Sequence, residues 1–299
     1  MTGATAFASG KGHRDENFPV ASRLVRAELR PTILAFYRFA RAADDIADHD
    51  SALPDQKLAE LERMEAGLRG ETGASTEGER LRVALQARSL TDRHALDLLE
   101  AFRRDVTKRR YSDWAELMDY CRYSAAPVGR FVLDLHGEST AVWPLNDALC
   151  SALQVINHLQ DCAKDYRQLD RVYVPLDALS AVGLGVESLA DPQASAALRD
   201  VIKALARRTG ALLDQSRPFA DCIVDRRLAL EVGVIQALAE GLVHRLERHD
   251  PLSERVHHRK IEAAGLALKG GLRAAFGRFR RRLGRIAGPR QTRLHGSGR

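Results

Sequence analysis

Over most of this chain apolar residues recur at steps of three and four, the spacing that lines one face of an α-helix. Ile33, Phe36, Tyr37 and Ala40 set the pattern, and Pro31 suits the first turn of the helix they begin. A second helical run covers about 55–70, and the stretch from Gly70 to Gly78 interrupts it with Gly, Ser and Thr. Further helices are expected at about 79–88, 92–106, 112–137, 145–168, 194–214, 218–248 and 252–277. Pro127 falls inside the 112–137 run and should kink it. Arg171-Val-Tyr-Val-Pro175 reads as a short extended loop. No alternating strand pattern recurs and nothing repeats at a fixed period. The expected fold class is all-α: a single-domain helical bundle over residues 1–275 and a basic tail at 276–299.

Composition narrows the class. Apolar residues make up 45% and charged residues 29% of 299, within the range of a soluble globular protein. No signal peptide is read in the first ten residues, and no run nears the roughly 18 apolar residues that span a bilayer. Cys121, Cys150, Cys162 and Cys222 lack CxxC spacing, which favours reduced thiols and a cytoplasmic setting. The net charge of +6 is uneven. Residues 259–299 hold twelve Lys/Arg against Glu262 alone, so the rest of the chain is mildly acidic. Such an end suits an anionic membrane surface, or is simply a solvated terminus. Nucleic acid is not an expected partner, since no recognised binding module accompanies the basic end.

Two acidic stripes carry the chemistry. In Arg41-Ala-Ala-Asp44-Asp45-Ile-Ala-Asp48, Asp44 and Asp48 stand one helical turn apart, about 6 Å, with Arg41 a turn earlier. In Asn157-His-Leu-Gln160-Asp161-Cys-Ala-Lys164-Asp165, residues Asn157, Asp161 and Asp165 repeat at steps of four. Both stripes continue apolar helix. Carboxylates at this spacing repel, and beside buried turns an uncompensated charge is costly. A divalent cation resolves the conflict. Magnesium suits oxygen ligands shared with phosphates and water. No His or Cys pair at ligand spacing points to zinc.

These motifs resemble the squalene/phytoene synthase family of head-to-head isoprenoid synthases. Tyr37-Arg-Phe-Ala-Arg41-Ala-Ala-Asp44-Asp45-Ile-Ala-Asp48 is similar to its first Asp motif. Arg110-Tyr111, Tyr120-Cys121 and Pro127-Val128-Gly129 resemble its middle motif. The Asn157–Asp165 stripe with Arg171-Val-Tyr173-Val-Pro175 resembles its second Asp motif and trailing loop. The resemblance spans about Asn17 to Leu252. Gly10 to Ser22, Ala42 to His49 and Tyr123 to Arg130 are closest to the bacterial hydroxysqualene synthase branch of hopanoid biosynthesis.

The resemblance implies an isoprenoid-synthase bundle with a central cavity. It implies a magnesium-dependent enzyme acting on an isoprenoid diphosphate: presqualene diphosphate and water in, hydroxysqualene and diphosphate out. Asp44, Asp48, Asn157, Asp161 and Asp165 would hold the metal. Arg41, Tyr37, Tyr120 and Ser124 would be catalytic. Asn17, Phe18, Arg41, Tyr123, Gln160 and Lys164 would bind substrate. Phe36 and Phe131 are further candidate chamber walls. Asn17 and Asp15 stand where many members carry hydroxyls, and Ser124-Ala125-Ala126 replaces Val-Ala-Gly. The first departure weighs against condensation of two farnesyl diphosphates, and the second places a hydroxyl where the family is usually apolar. The alternatives are a presqualene diphosphate, phytoene or dehydrosqualene synthase, or a non-catalytic scaffold of the same fold. Greasy substrate and product add weight to peripheral membrane contact through the tail, at the inner face of the cell membrane.

Overall fold

A computed structural model describes residues 26–286, with side chains to Phe276. The described residues are almost wholly helical. In chain order, α1 is Arg30–Ala47, α2 Pro54–Arg69, α3 Thr76–Gln86, α4 Arg93–Thr107, α5 Trp114–Ser124 and α6 Ala126–Leu135. Then come α7 Trp143–Leu169, α8 Leu176–Ser180, α9 Ala196–Ser216, α10 Phe219–Cys222, α11 Arg226–Leu246 and α12 Lys260–Ile286.

Two of the expected long helices are split, each for a visible reason. The 112–137 run becomes α5 and α6, meeting at Ala125. Pro127 lies in the first turn of α6, where its missing N–H costs no hydrogen bond. The 218–248 run becomes α10 and α11. The Asp225 side chain caps α11 by accepting from the Arg227 and Leu228 amides at 2.8 and 3.1 Å. The Glu138 carboxylate accepts from the Val224 and Asp225 amides at 2.8 and 2.7 Å, holding the break open. The last helix begins at Lys260, later than its expected start, and passes without interruption through Ala275.

Two apolar cores meet around the site. One is built from α1–α4 with Phe131 and Leu135 of α6, and Phe36 stacks on Phe131 at 3.9 Å. The other gathers α5, α7, α9 and α11 with the 172–174 segment. Helices α11 and α12 approach closely through small residues. A Cβ on Gly270 would come within 2.2 Å of the Gly233 carbonyl oxygen.

At the end of α7 the chain turns through Asp170 in the left-handed region (φ 51°). Its carboxylate accepts from Arg109 at 2.9 Å and from Arg110 at 2.5 Å. The next residues run extended beside α4's exit. Arg110 and Val172 form a parallel bridge, and the Val172 amide donates to the Arg109 carbonyl at 2.9 Å. This turn puts Arg171 at the C-terminal ends of α1 and α4.

Candidate active site

A cavity of about 1130 Å³ opens at the C-terminal ends of α1, α4 and α7. Helix C-termini present unpaired carbonyls and a partial negative charge, so this is a place that attracts cations. Arg41, Asp45 and Asp48 line it from α1, and Asp161, Lys164 and Asp165 from α7. Asp48 of the first stripe and Asp161 and Asp165 of the second, more than a hundred residues apart in sequence, thus face one space. Lys57, Arg109, Arg167 and Arg171 bring its Lys/Arg count to six, against seven aspartates. That mixture suits a polyanion held together with a divalent cation.

The first stripe is already neutralised by arginine. Arg41 donates to Asp44 at 2.8 Å and to Asp45 at 2.6 Å. Arg171 donates to the Asp48 carboxylate, to the Ala47 carbonyl at 3.0 Å and to the Asp105 carbonyl at 3.1 Å. Burial opposes its charge, but Asp105, Tyr173 and Asp48 outweigh that cost and hold the guanidinium protonated. Burial, reinforced by Asp48, pushes the Asp44 carboxyl up to about 7, with Arg41 pulling the other way.

The second stripe has no such compensation. Among the described residues neither Asp161 nor Asp165 forms an ion pair with Lys or Arg. The nearest basic atom to Asp165 is His158 Nδ1 at 3.9 Å. Burial, then the neighbouring Asp165, raises the Asp161 carboxyl above the usual carboxylate range. Hard oxygen donors held in electrostatic conflict fit magnesium. No three His, Cys, Asp or Glu side chains among the described residues are grouped closely enough to hold a metal unaided. A magnesium ion here would complete its shell with phosphate oxygens and water, its ordinary habit.

Beneath the cavity lies a network that sequence reading missed. Asp105 is buried and accepts from Tyr120 Oη at 2.7 Å and Tyr173 Oη at 3.0 Å. Burial raises its carboxyl, while Arg171 and the two hydroxyls pull it down. Tyr111, Tyr120 and Tyr173 cluster with ring centroids 5.2–5.5 Å apart, and His158 stacks on Tyr173 at 3.5 Å. Gln154 and His158 meet at 3.0 Å. Lys57 reaches over from α2 to donate to the Ala47 carbonyl at 3.0 Å, and burial, with Arg171 nearby, lowers its pKa.

The other expected site residues fall in several places. Tyr37 lies one turn before Arg41, and Asn157 one turn before Asp161. Tyr120 is buried against Asp105 and does not line the cavity. Burial and Asp105 hold its hydroxyl protonated, well above the usual tyrosine range. Ser124 ends α5 with a buried hydroxyl that has no hydrogen-bond partner among the described residues. Tyr123 does not line the cavity either. Arg104 lies 4.2 Å over its ring and its hydroxyl accepts from Arg122 at 2.8 Å. Gln160 turns to the Val256 carbonyl, tying α7 to the segment before α12. Phe36 and Phe131 are packed in the first core. Asn17, Phe18 and the surrounding Gly10–Ser22 motif lie outside the described residues.

The model of the squalene/phytoene synthase family matches residues 12–262. The chain belongs to this family. It is 56% identical to the hydroxysqualene synthase of Zymomonas mobilis over 266 residues, covering 88% of this chain and 90% of that one. It is equally similar to the hydroxysqualene synthase of Rhodopseudomonas palustris, with the same coverage. The crystal structure of a squalene synthase from Alicyclobacillus acidocaldarius superposes with a TM-score of 0.67 at 34% identity, over 77% of this chain and 87% of that one.

Proposed function

We propose that the protein is a hydroxysqualene synthase. In this reading the carbon–oxygen bond of presqualene diphosphate breaks and diphosphate leaves. A water oxygen bonds to the resulting carbocation and one proton is lost. The observation that carries it is the majority identity to hydroxysqualene synthases over about nine-tenths of both chains. The cavity supports it, being charged, wide and lined by both Asp stripes.

Asp44 and Asp48 on α1, with Asp161 and Asp165 on α7, would hold magnesium, and Asn157 would add a neutral oxygen. The chemistry magnesium supplies when bound is neutralisation of the charge that develops on the departing diphosphate. Arg41, Lys57 and Lys164 supply fixed positive charge along the same walls. Arg171 orients the Asp48 carboxylate, and the Asp105 network keeps Arg171 in place. Tyr120 holds Asp105 in this scheme, so its hydroxyl acts through the network. The unpartnered Ser124 hydroxyl is the candidate to position water.

The test is product analysis of the purified protein with magnesium and no reductant, supplied with presqualene diphosphate or with farnesyl diphosphate. Hydroxysqualene from the first and nothing from the second is expected. Presqualene diphosphate made from farnesyl diphosphate would move the protein to a sister activity. No turnover of either by folded protein would support a non-catalytic scaffold.

Metal binding should depend on pH. With its carboxyl at about 7, Asp44 is protonated in the metal-free protein below that pH. Its proton is held more tightly folded than unfolded, so its contribution to stability falls as pH rises from about 4 to about 7. Magnesium must displace that proton. Its affinity should therefore fall by about tenfold per pH unit below 7 and level off above it. Calorimetric titration in buffers of different ionisation enthalpy should show about one proton released at pH 6 and almost none at pH 8. Equal release at both would sink the linkage.

A further inference from the structure

Helix α12 carries an apolar row that the fold leaves bare. Ile261, Leu268, Leu272 and Phe276 are 88%, 66%, 61% and 62% exposed. Their spacing of seven, four and four puts them on one side of the helix. Among the α12 residues to Phe276, Gly270 and Ala274 are the buried ones, set against Gly233 of α11. Successive residues advance by about 100°, so that buried edge lies opposite the apolar row. The row therefore faces directly outward, an aligned set of exposed large apolar side chains of the kind that marks an interaction site.

Charge decides what covers it. From Lys260 to Ile286 the sequence holds eight Lys/Arg and a single acid, Glu262. A groove of about 540 Å³ runs between α11 and α12, with Arg245, Arg248 and Lys269 among its walls. Glu262 answers Arg245 at 3.3 Å. Gly265 belongs both to this groove and to the exposed row, between Ile261 and Leu268. The cationic groove thus borders the apolar row. A second copy docked here would oppose two strongly basic helices. No helix among the described residues is long and apolar enough to cross a membrane.

We infer that the outer face of α12 is a membrane-docking surface for an anionic phospholipid bilayer. Ile261, Leu268, Leu272 and Phe276 enter the acyl boundary, and the α11–α12 groove receives lipid phosphates. An amphipathic helix with basic flanks binds in this way, through apolar burial added to attraction by anionic headgroups. The inference is independent of which isoprenoid the cavity takes.

The experiment is co-sedimentation of the full chain with vesicles of equal parts phosphatidylglycerol and phosphatidylcholine, and with phosphatidylcholine alone. The protein should bind the anionic vesicles and bind neutral ones at least about tenfold more weakly. Leu268→Ser/Leu272→Ser/Phe276→Ser should weaken anionic binding by about tenfold or more. Arg248→Glu/Lys269→Glu should do the same. The altered side chains are at the surface, so both variants should keep their circular dichroism and their turnover of detergent-dispersed substrate. Three results would overturn the inference: folded protein that ignores anionic vesicles, binding unchanged in the serine variant, or a dimer that the serine variant dissolves.

Discussion

Replacing Arg171 with methionine is expected to destabilise the protein by about 3–5 kcal/mol, the usual cost of removing one partner of a buried ion pair. The side chain is buried and answers three groups at once: the Asp48 carboxylate and the carbonyls of Ala47 and Asp105. Those carbonyls belong to the last turns of α1 and α4, where helical partners run out. Methionine fills most of the volume but donates nothing. The Asp105 carbonyl and the Asp48 carboxylate lose this donor, the Ala47 carbonyl is left to Lys57 alone, and the Asp105 carboxylate loses its main compensating charge. Lysine in its place is a single point donor and cannot span the three acceptors. For a chain of this size the loss corresponds to a fall in Tm of roughly 10 °C. The decisive measurement is a double-mutant cycle with Asp105→Asn, followed by urea denaturation. Removing the buried carboxylate should offset part of the cost, a coupling on the order of 1–3 kcal/mol. Strict additivity would mean that Arg171 serves only the helix ends.

Arg171 also marks the limit of what one sequence discloses. The two Asp stripes were legible because i, i+4 repetition within one helix is itself a geometric statement. Their meeting across one cavity followed from the family resemblance, and the fold bears it out. Asp105 carries no such signal. It sits in Arg103-Arg104-Asp105 at the end of an ordinary amphipathic helix, and its partners come from positions 120, 171 and 173. Nothing local announces that its carboxylate is buried. Tyr120 drew attention as a motif residue. Its hydroxyl is spent on Asp105, so it acts through that network and not at the cavity wall. Helix breaks were partly legible: Pro127 signalled the first. The Asp225 cap that signals the second was present in the sequence, but the strong apolar period around it masked it.

The two stripes also differ in a way their sequences conceal. Both look like carboxylates beside a basic residue, Arg41 in one and Lys164 in the other. In the fold, Arg41 and Arg171 answer every carboxylate of the first stripe. Lys164 eases the charge at Asp161 without forming an ion pair with it. The cavity's unmet demand for a cation therefore lies on α7.

That asymmetry makes Asp161→Asn a discriminating substitution, expected to lower kcat/KM by about 10²–10³, the scale of removing a group that helps stabilise a developing anion. If Asp161 were an ordinary structural carboxylate, its loss would leave partners unpaired and lower stability. Instead it is half-buried, repelled by Asp165 and without an ion-pair partner among the described residues. Asparagine removes the repulsion and keeps the shape. The variant should match or exceed the parent in metal-free Tm while losing turnover, the pattern of a site that trades stability for function. It should also need at least about tenfold more magnesium for half-maximal rate, because one charged ligand has become neutral. Asp45→Asn provides the contrast, since Arg41 already neutralises that carboxylate and the magnesium requirement should barely move. Steady-state kinetics over a magnesium series, paired with thermal melts of the metal-free proteins, separates the cases. A destabilised Asp161→Asn with an unchanged magnesium requirement would place the metal elsewhere in the cavity.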